Sequence, residues 1–262
     1  MEPLHTPIAP PMARVNAAGS PLDRAGTSTA TDAPQRIHYT HTRVLPVAPD
    51  TLRQHHVIAG QPPSPYVDAY KILRTRILQK MRERNWNALA ITSPHPQAGK
   101  TLAAINLALS LALEINQTVL LVDANLRDPA VHRYFGFTPE VGLSDYLLDH
   151  LPVEQLLINP QGIERFVMLP GSRPLPDSSE MLSSPRMVEL VEELKQRYPS
   201  RLVLFDLPHL ATSDTLAFAP YVDAVLLIVE QGVTTQDQLK HAMEHLHNTP
   251  LIGTVINKTE SA

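Results

Sequence analysis

The stretch TSPHPQAGKTLAAINLA, residues 92–108, decides the fold of this chain. It contains Gly99-Lys100-Thr101 followed by an apolar run, which is how the phosphate-binding pattern G-x-x-x-x-G-K-[ST] ends. The first glycine of that pattern would fall at position 94, where the chain has Pro94. The context nevertheless fits, because the apolar segment 88–93 predicts a strand that leads through this loop into a helix.

The residue types of this loop suit a phosphate ligand. A loop that enters a helix directs free backbone N–H groups and the positive end of the helix dipole toward one point. Gly99 lets the backbone approach a phosphate without a Cβ, and Lys100 can place its ammonium between two phosphates. The hydroxyl of Thr101 can ligate Mg²⁺. With strand and helix patterns on both sides, a nucleotide site is a better interpretation than a chance helix start.

Short apolar segments alternate with longer amphipathic ones after residue 65. The predicted strands are 88–93, 118–124, 165–170, 201–207, 224–230 and 251–257. The predicted helices are 67–81, 100–115, 128–135, 143–149, 179–197 and 234–247. Strands that are apolar on both faces and alternate with helices predict a parallel sheet covered on both sides. The expected fold class is therefore α/β, with a mostly parallel central sheet between two layers of helices.

Two aspartates lie near the ends of predicted strands. Asp123 comes after an apolar run in LLVDANLRDP, and Asp206 does so in LVLFDLP. A lone aspartate after a strand is usually a cap or turn residue. In open α/β sheets, however, the carboxyl ends of the strands carry the ligand site. Thr101, Asp123 and Asp206 are therefore the predicted metal ligands, and one carboxylate could orient or deprotonate an attacking nucleophile.

Composition excludes several classes of protein. The 262 residues carry a net charge of −4, which gives no general attraction to nucleic acid or anionic lipid. The chain has no cysteine, so it has no disulfide, no thiolate metal site and no cysteine nucleophile. No apolar run approaches the roughly 20 residues that span a bilayer. We expect a cytoplasmic protein without nucleic-acid binding or direct membrane insertion.

The N-terminal region differs from the rest. Residues 1–65 contain 11 of the 25 prolines and a single aromatic residue, Tyr39. Such a segment cannot bury enough apolar surface to offset its ordering entropy. We predict a disordered, proline-rich tail at 1–61, within which 42–59 is a candidate for a short ordered piece, and one domain at 62–262.

The ordered set of motifs resembles the cytoplasmic ATPase domain of bacterial tyrosine kinases, the autokinases that regulate capsule and exopolysaccharide export. TSPHPQAGKT is similar to their Walker A loop, TS-x-x-P-x-E-G-K-[ST], which also lacks the first glycine. LLVDANLR resembles their Walker A′ motif, D-x-D-x-R, which gives Asp123 and Arg127. LVLFDLPH resembles their Walker B motif, and GTVINK resembles the strand end whose asparagine, here Asn257, would contact adenine. The resemblance covers residues 62–258.

This resemblance implies a P-loop NTPase fold, the cofactors ATP and Mg²⁺, and transfer of the γ-phosphoryl group to tyrosine. It implies a membrane-embedded polysaccharide chain-length regulator as activator, which would recruit the chain to the inner face of the plasma membrane. It also implies ring-like self-association through helix 67–81. The implied catalytic residues are Lys100, Asp123 and Asp206. The implied nucleotide-binding residues are Pro96, Gln97, Ala98, Gly99, Lys100, Thr101, Leu102, Arg127 and Asn257.

Some positions depart from the family pattern. Asn125 replaces the second aspartate of D-x-D, Ala98 replaces the loop glutamate, and the last tyrosine of the sequence is Tyr221. One hypothesis is a kinase acting on another tyrosine, such as Tyr39 or one on a partner. A second is a nucleotide-dependent adaptor of the export machinery that transfers no phosphate. A third is a partitioning or septum-site ATPase, whose loop has a lysine where this chain has His95.

Overall fold

A computed structural model describes residues 42–197 and 200–259 of the protein. The strands are β1 (Arg43–Leu45), β2 (Ala88–Thr92), β3 (Thr118–Asp123), β4 (Ile158–Pro160), β5 (Phe166–Leu169), β6 (Arg201–Asp206), β7 (Ala224–Glu230) and β8 (Leu251–Asn257). They form one sheet in the order β1-β4-β5-β3-β6-β2-β7-β8. Neighbouring strands are parallel except for β4 and β5. The mostly parallel sheet predicted from the sequence is confirmed, and β1 and β4 are additions to the six predicted strands.

Helices cover both faces of this sheet. They are α1 (Pro49–Gln54), α2 (Pro65–Arg84), α3 (Lys100–Ala112), α4 (Leu143–Asp149), α5 (Ser178–Leu182), α6 (Pro185–Gln196), α7 (Ser213–Phe218) and α8 (Gln236–His245). Successive strand residues pack to opposite sides: Leu120 joins the apolar cluster that contains α6, while Leu121 joins the cluster that contains α2 and α3. This alternation produces three layers. In the part of the chain that the structure describes, no helix has both the length and the apolar character needed to cross a bilayer.

Two predicted helices were wrong in their extent. The single helix expected at 179–197 is divided into α5 and α6, because Pro185 cannot continue a helix and disfavours helical geometry in the residue before it. Ser184 instead caps α6, its Oγ accepting from the backbone N of Met187 at 3.3 Å. The helix expected at 128–135 is only a 3₁₀ turn at Val131–Phe135, because Pro129 disfavours helical geometry at Asp128 and Gly136, with a φ of 75°, ends the turn.

The described domain begins before the boundary predicted at residue 62. Strand β1 pairs with β4, and Leu52, Val57 and Ile58 are buried in the cluster between α2, α3 and the sheet. The candidate ordered piece at 42–59 is thus part of the domain, because it supplies apolar side chains to the core. The predicted disorder of residues 1–41 concerns a segment outside the described residues.

Buried Asn106 attaches this N-terminal segment to α3. Its Oδ1 accepts from the backbone N of Ile58 at 2.9 Å, and its Nδ2 donates to the Tyr66 hydroxyl at 2.7 Å and the His56 carbonyl at 3.1 Å. Asn106→Ala should lower the free energy of unfolding by about 2–4 kcal/mol, because three hydrogen bonds are lost and a buried N–H loses its acceptor. Urea denaturation measures this, with the exposed Gln79→Ala as a control that should change stability by less than about 0.5 kcal/mol. Equal midpoints for the two variants would contradict the attachment.

Candidate nucleotide-binding site

The candidate phosphate loop connects β2 to α3 at the carboxyl edge of the sheet. Gln97 and Gly99 both have left-handed backbone conformations, with φ of 62° and 86°, and the side chain of Ala98 between them is buried. A Cβ on Gly99 would lie 2.2 Å from Nδ2 of Asn257, so a larger residue would displace that amide and would also be strained by the positive φ. The loop start is also fixed, because the Thr92 hydroxyl donates to the carbonyl of Pro208 at 2.6 Å.

The end of the loop meets the end of β6. The Thr101 hydroxyl donates to Oδ2 of Asp206 at 2.7 Å. The Nζ of Lys100 lies 3.2 Å from that hydroxyl and 3.5 Å from Oδ1 of Asp206. The Lys100 side chain is 12% exposed and Asp206 is fully buried, so this ion pair is shielded from water. The structure therefore brings together three of the residues that the sequence singled out.

Asp123 lies beside this group, directly opposite Asp206 in the pairing of β3 with β6. Its Oδ2 accepts from the backbone N–H groups of Ala130 and Val131 at 2.9 and 3.0 Å, whereas its buried Oδ1 has no hydrogen-bond partner. Burial, and then the charge of Asp206, raise the pKa of Asp123 to about 7. Burial also raises the pKa of Asp206, although Lys100 and the Thr101 hydroxyl oppose that shift.

These features fit a bound divalent cation. Buried polar atoms nearly always have partners, so the unpaired Oδ1 of Asp123 is an exception that a ligand would resolve. Mg²⁺ is typically held by one or two carboxylates together with water and substrate phosphates. Asp123, Asp206 and the Thr101 hydroxyl supply such oxygen atoms, and a cation would offset the repulsion between the two facing carboxylates.

The other Walker A′ residues point elsewhere. The Nε of Arg127 donates to Oδ2 of buried Asp214 in α7 at 2.5 Å, and Ser178 donates to the other oxygen of the same carboxylate. Burial alone would raise the pKa of Asp214, but these hydrogen bonds and the charge of Arg127 lower it below its usual value. Asn125 donates through Nδ2 to the carbonyl of Asp128 at 2.9 Å, within its own loop. Arg127 is therefore held by Asp214 and not by the group around Lys100.

The remaining predicted binding residues surround the loop. Pro96 and Gln97 are exposed at its tip, and the partly buried Leu102 packs its side chain against the apolar cluster that contains α2 and α3. Asn257, at the end of β8, donates through Nδ2 to the carbonyl of Ala98 at 2.9 Å.

Sequence reasoning did not anticipate the environments of two histidines at this edge. His209 follows β6, its Nδ1 is buried without a partner, and burial together with the charge of nearby Lys100 lowers its pKa. Its place after the Walker B aspartate was a signal that could have identified it. His95 places Nε2 2.8 Å from the Thr234 hydroxyl in the loop after β7, a contact that no sequence pattern indicates.

Comparison with known proteins assigns the family. No protein-family model matches the chain. The tyrosine-protein kinase YwqD of Bacillus subtilis is 34% identical over 208 residues, which cover 78% of this chain and 86% of YwqD. The chain belongs to the bacterial tyrosine-protein kinases. The family recognised in the sequence motifs is thereby confirmed.

Solved structures agree with this family assignment. The kinase domain of the Escherichia coli tyrosine kinase Etk is 31% identical with a TM-score of 0.67, over 75% of this chain and 78% of that domain. The chimerical protein CapA2B2 gives a TM-score of 0.72 at 26% identity, over 84% of this chain and 94% of the chimera. The septum-site protein MinD of Pyrococcus horikoshii, at 20% identity and a TM-score of 0.55 over 66% of this chain and 72% of MinD, shares the fold alone.

Other members of the bacterial tyrosine-protein kinases, and one polysaccharide transport protein, are much longer than this chain. Full-length Etk is 32% identical over 73% of this chain, but the match spans only 26% of Etk. The succinoglycan biosynthesis transport protein ExoP of Rhizobium meliloti is 29% identical over 79% of this chain and 27% of ExoP. The chain therefore corresponds to about a quarter of these two proteins.

Proposed function

We propose that this bacterial tyrosine-protein kinase homologue binds Mg·ATP at the loop before α3 and transfers the γ-phosphoryl group to a protein tyrosine. The observation that carries the proposal is the contact of Lys100 and Thr101 with Asp206, beside an Asp123 whose Oδ1 is unpaired. Lys100 and the N–H groups at the start of α3 would hold the phosphates. Thr101, Asp123 and Asp206 would hold Mg²⁺, which when bound neutralises charge that develops on the phosphates.

The carboxylate of Asp123 is also suited to accept a proton. Burial and the charge of Asp206 raise its pKa to about 7 in the protein without ligands, and a bound Mg²⁺ would lower the pKa and favour the unprotonated form that can accept a proton. In the proposed reaction the tyrosine oxygen bonds to the γ-phosphorus as the bond from that phosphorus to the β–γ bridging oxygen breaks. The phenolic proton then goes to Asp123, and ADP leaves. The residues proposed to bind the nucleotide are Pro96, Gln97, Ala98, Gly99, Lys100, Thr101, Leu102, Arg127 and Asn257.

The proposed setting is capsule or exopolysaccharide polymerisation and export. The name of ExoP links one relative to polysaccharide transport. By this proposal a membrane-embedded chain-length regulator activates the protein and recruits it to the inner face of the plasma membrane. Self-association through 67–81 stays a prediction; on that helix Asp68 pairs with Lys71 at 2.8 Å, and Arg74 pairs with Glu114 of the same chain at 3.1 Å.

One observation favours a second candidate, a nucleotide-dependent adaptor that binds Mg·ATP without transferring phosphate. Asn125 stands where the family pattern has a carboxylate, and its amide bonds to the carbonyl of Asp128. A metal beside Asp123 and Asp206 would have one fewer acidic group nearby.

Incubation of the full chain with γ-labelled Mg·ATP, with and without its activator, separates the two candidates. Label on tyrosine that disappears in Lys100→Met supports the kinase. Nucleotide binding without transfer, even with the activator present, would contradict the kinase and support the adaptor. Absence of nucleotide binding would contradict both.

Restoring the missing carboxylate provides a second test. Asn125→Asp is expected to raise the rate of tyrosine phosphorylation about tenfold, because another acidic group near the metal strengthens its binding and positioning, and second-shell effects are commonly 10- to 100-fold. Asn125→Ala is the matched control, since it also removes the hydrogen bond to Asp128 but adds no charge. Equal rates in the two variants would show that the carboxylate has no role here.

A further inference from the structure

Asn257 joins the free edge of the sheet to the phosphate loop. Its Nδ2 donates to the carbonyl oxygen of Ala98 at 2.9 Å, across 159 positions of sequence. The same nitrogen would lie 2.2 Å from a Cβ on Gly99, so the amide fits closely over the loop backbone. The loop is therefore fixed by a tertiary contact with β8 as well as by its own turn.

This contact acts on a particular peptide unit. A trans peptide is planar, so the carbonyl of Ala98 and the N–H of Gly99 form one rigid unit and point in opposite directions. An amide that holds the carbonyl therefore also sets the direction of that N–H. Gly99 is the residue that caps α3, and N–H groups at a helix start lack intrahelical acceptors and bind anions.

The backbone around Asn257 is held in place, and the side-chain amide can still form further hydrogen bonds. The backbone carbonyl of Asn257 accepts from the N–H of Gln231 at 3.0 Å, and the adjacent Lys258 pairs with Glu230 at 3.0 Å. An asparagine side chain has two N–H donors and one acceptor oxygen, so the bond to Ala98 leaves one donor and the oxygen for other partners. A contact with a nucleotide base and a contact with the loop are thus compatible.

We propose that Asn257 is a positioning residue that orients the Ala98–Gly99 peptide so that the N–H of Gly99 faces the phosphates of a bound nucleotide. This role is independent of any contact between Asn257 and the base. It rests on the proposed function, which supplies the nucleotide.

A ligand that has phosphates but no nucleobase distinguishes positioning of the loop by Asn257 from contact of Asn257 with the base. Titration calorimetry would compare Mg·ATP with Mg·tripolyphosphate on the wild type, Asn257→Ala and Asn257→Asp, well below the unfolding midpoint of each protein. Both variants should weaken the binding of Mg·tripolyphosphate roughly three- to tenfold, the range expected for one hydrogen bond, and should weaken the binding of Mg·ATP by at least as much. Asn257→Asp should lose at least as much as Asn257→Ala, because a carboxylate cannot donate to the Ala98 carbonyl. Thr254→Ala, exposed on the same strand, is the control and should bind both ligands like the wild type.

Each other outcome overturns the inference. If the variants weaken Mg·ATP but leave Mg·tripolyphosphate unchanged, Asn257 contacts only the base. If Thr254→Ala shows the same losses, the effect belongs to the strand and not to the amide. If the wild type binds neither ligand, the proposed function itself fails, and this inference fails with it.

Discussion

Replacing Lys100 by methionine is expected to lower tyrosine phosphorylation by at least about a hundredfold, the usual cost of removing one preorganised charge-stabilising group. The Nζ of Lys100 lies within 3.5 Å of both the Thr101 hydroxyl and Asp206, so it is placed where the phosphates and the metal would meet. The side chain is only 12% exposed, which strengthens its electrostatic effect. Methionine keeps an unbranched apolar stem as far as Cε and removes the ammonium group.

The matched control is Lys240→Met, at an exposed position on α8, which should retain wild-type transfer. Initial rates of label incorporation, measured with Mg·ATP binding in both variants, give the comparison. Wild-type transfer in Lys100→Met would show that the Lys100–Thr101–Asp206 group is not the site of chemistry.

Much of the fold could be predicted because its central strands are buried on both faces. Strands β2, β3, β5, β6 and β7 are almost entirely buried, and such strands appear in sequence as short apolar runs between helices. Strands β1 and β4 have three residues each, which is too short for a periodic signal. Their place in the sheet depends on pairing between distant segments, including the antiparallel insertion of β4 beside β5. The division at Pro185 had a local signal, Ser184-Pro185, which the apolar periodicity of the surrounding helix concealed.

The contacts of the candidate site, like the fold, could be predicted only in part. Lys100, Thr101, Asp123 and Asp206 could be predicted to meet, because each lies at the end of a strand or in the loop and helix start that follow one, at the carboxyl edge of one parallel sheet. Two other contacts could not be predicted: the hydrogen bond from Arg127 to Asp214 and the hydrogen bond from Asn257 to Ala98. Each joins segments that are more than 80 positions apart and share no sequence pattern. The unpaired Oδ1 of Asp123 is likewise a property of packing and not of spacing.

Asp123→Asn is expected to abolish most phosphoryl transfer and yet stabilise the protein without ligands at pH 8. Transfer should fall about a hundredfold or more, because the variant loses a metal-binding charge and the proposed proton acceptor. The amide oxygen of the new side chain can still accept from the backbone N–H groups of Ala130 and Val131, so the local structure should persist. The gain in stability follows from removing one of two buried carboxylates that face each other.

The pH dependence has a definite sign. Burial and the charge of Asp206 raise the pKa of Asp123 to about 7 from an ordinary value of 3.8. The folded protein therefore holds this proton more tightly than the unfolded chain, and the contribution of Asp123 to stability is lost as pH rises from about 4 through about 7. Relative to the wild type, Asp123→Asn should be more stable by on the order of 4 kcal/mol at pH 8, or about 8–16 °C in Tm. The difference should become small near pH 4, where the folded wild type still holds the proton and the carboxyl of the unfolded chain is only partly ionised.

Asp214→Asn is the comparison variant, because its effect on stability at pH 8 should have the opposite sign. The hydrogen bonds from Ser178 and Arg127 keep the pKa of Asp214 below its usual value, so its charge stabilises the fold above about pH 4. That variant should therefore be less stable than the wild type at pH 8. Thermal unfolding of both variants from pH 4 to pH 8 measures the contrast. If Asp123→Asn lowers Tm at pH 8, or changes Tm by the same amount at every pH, the fold does not raise the pKa of Asp123. The metal-binding role of Asp123 then loses its electrostatic basis.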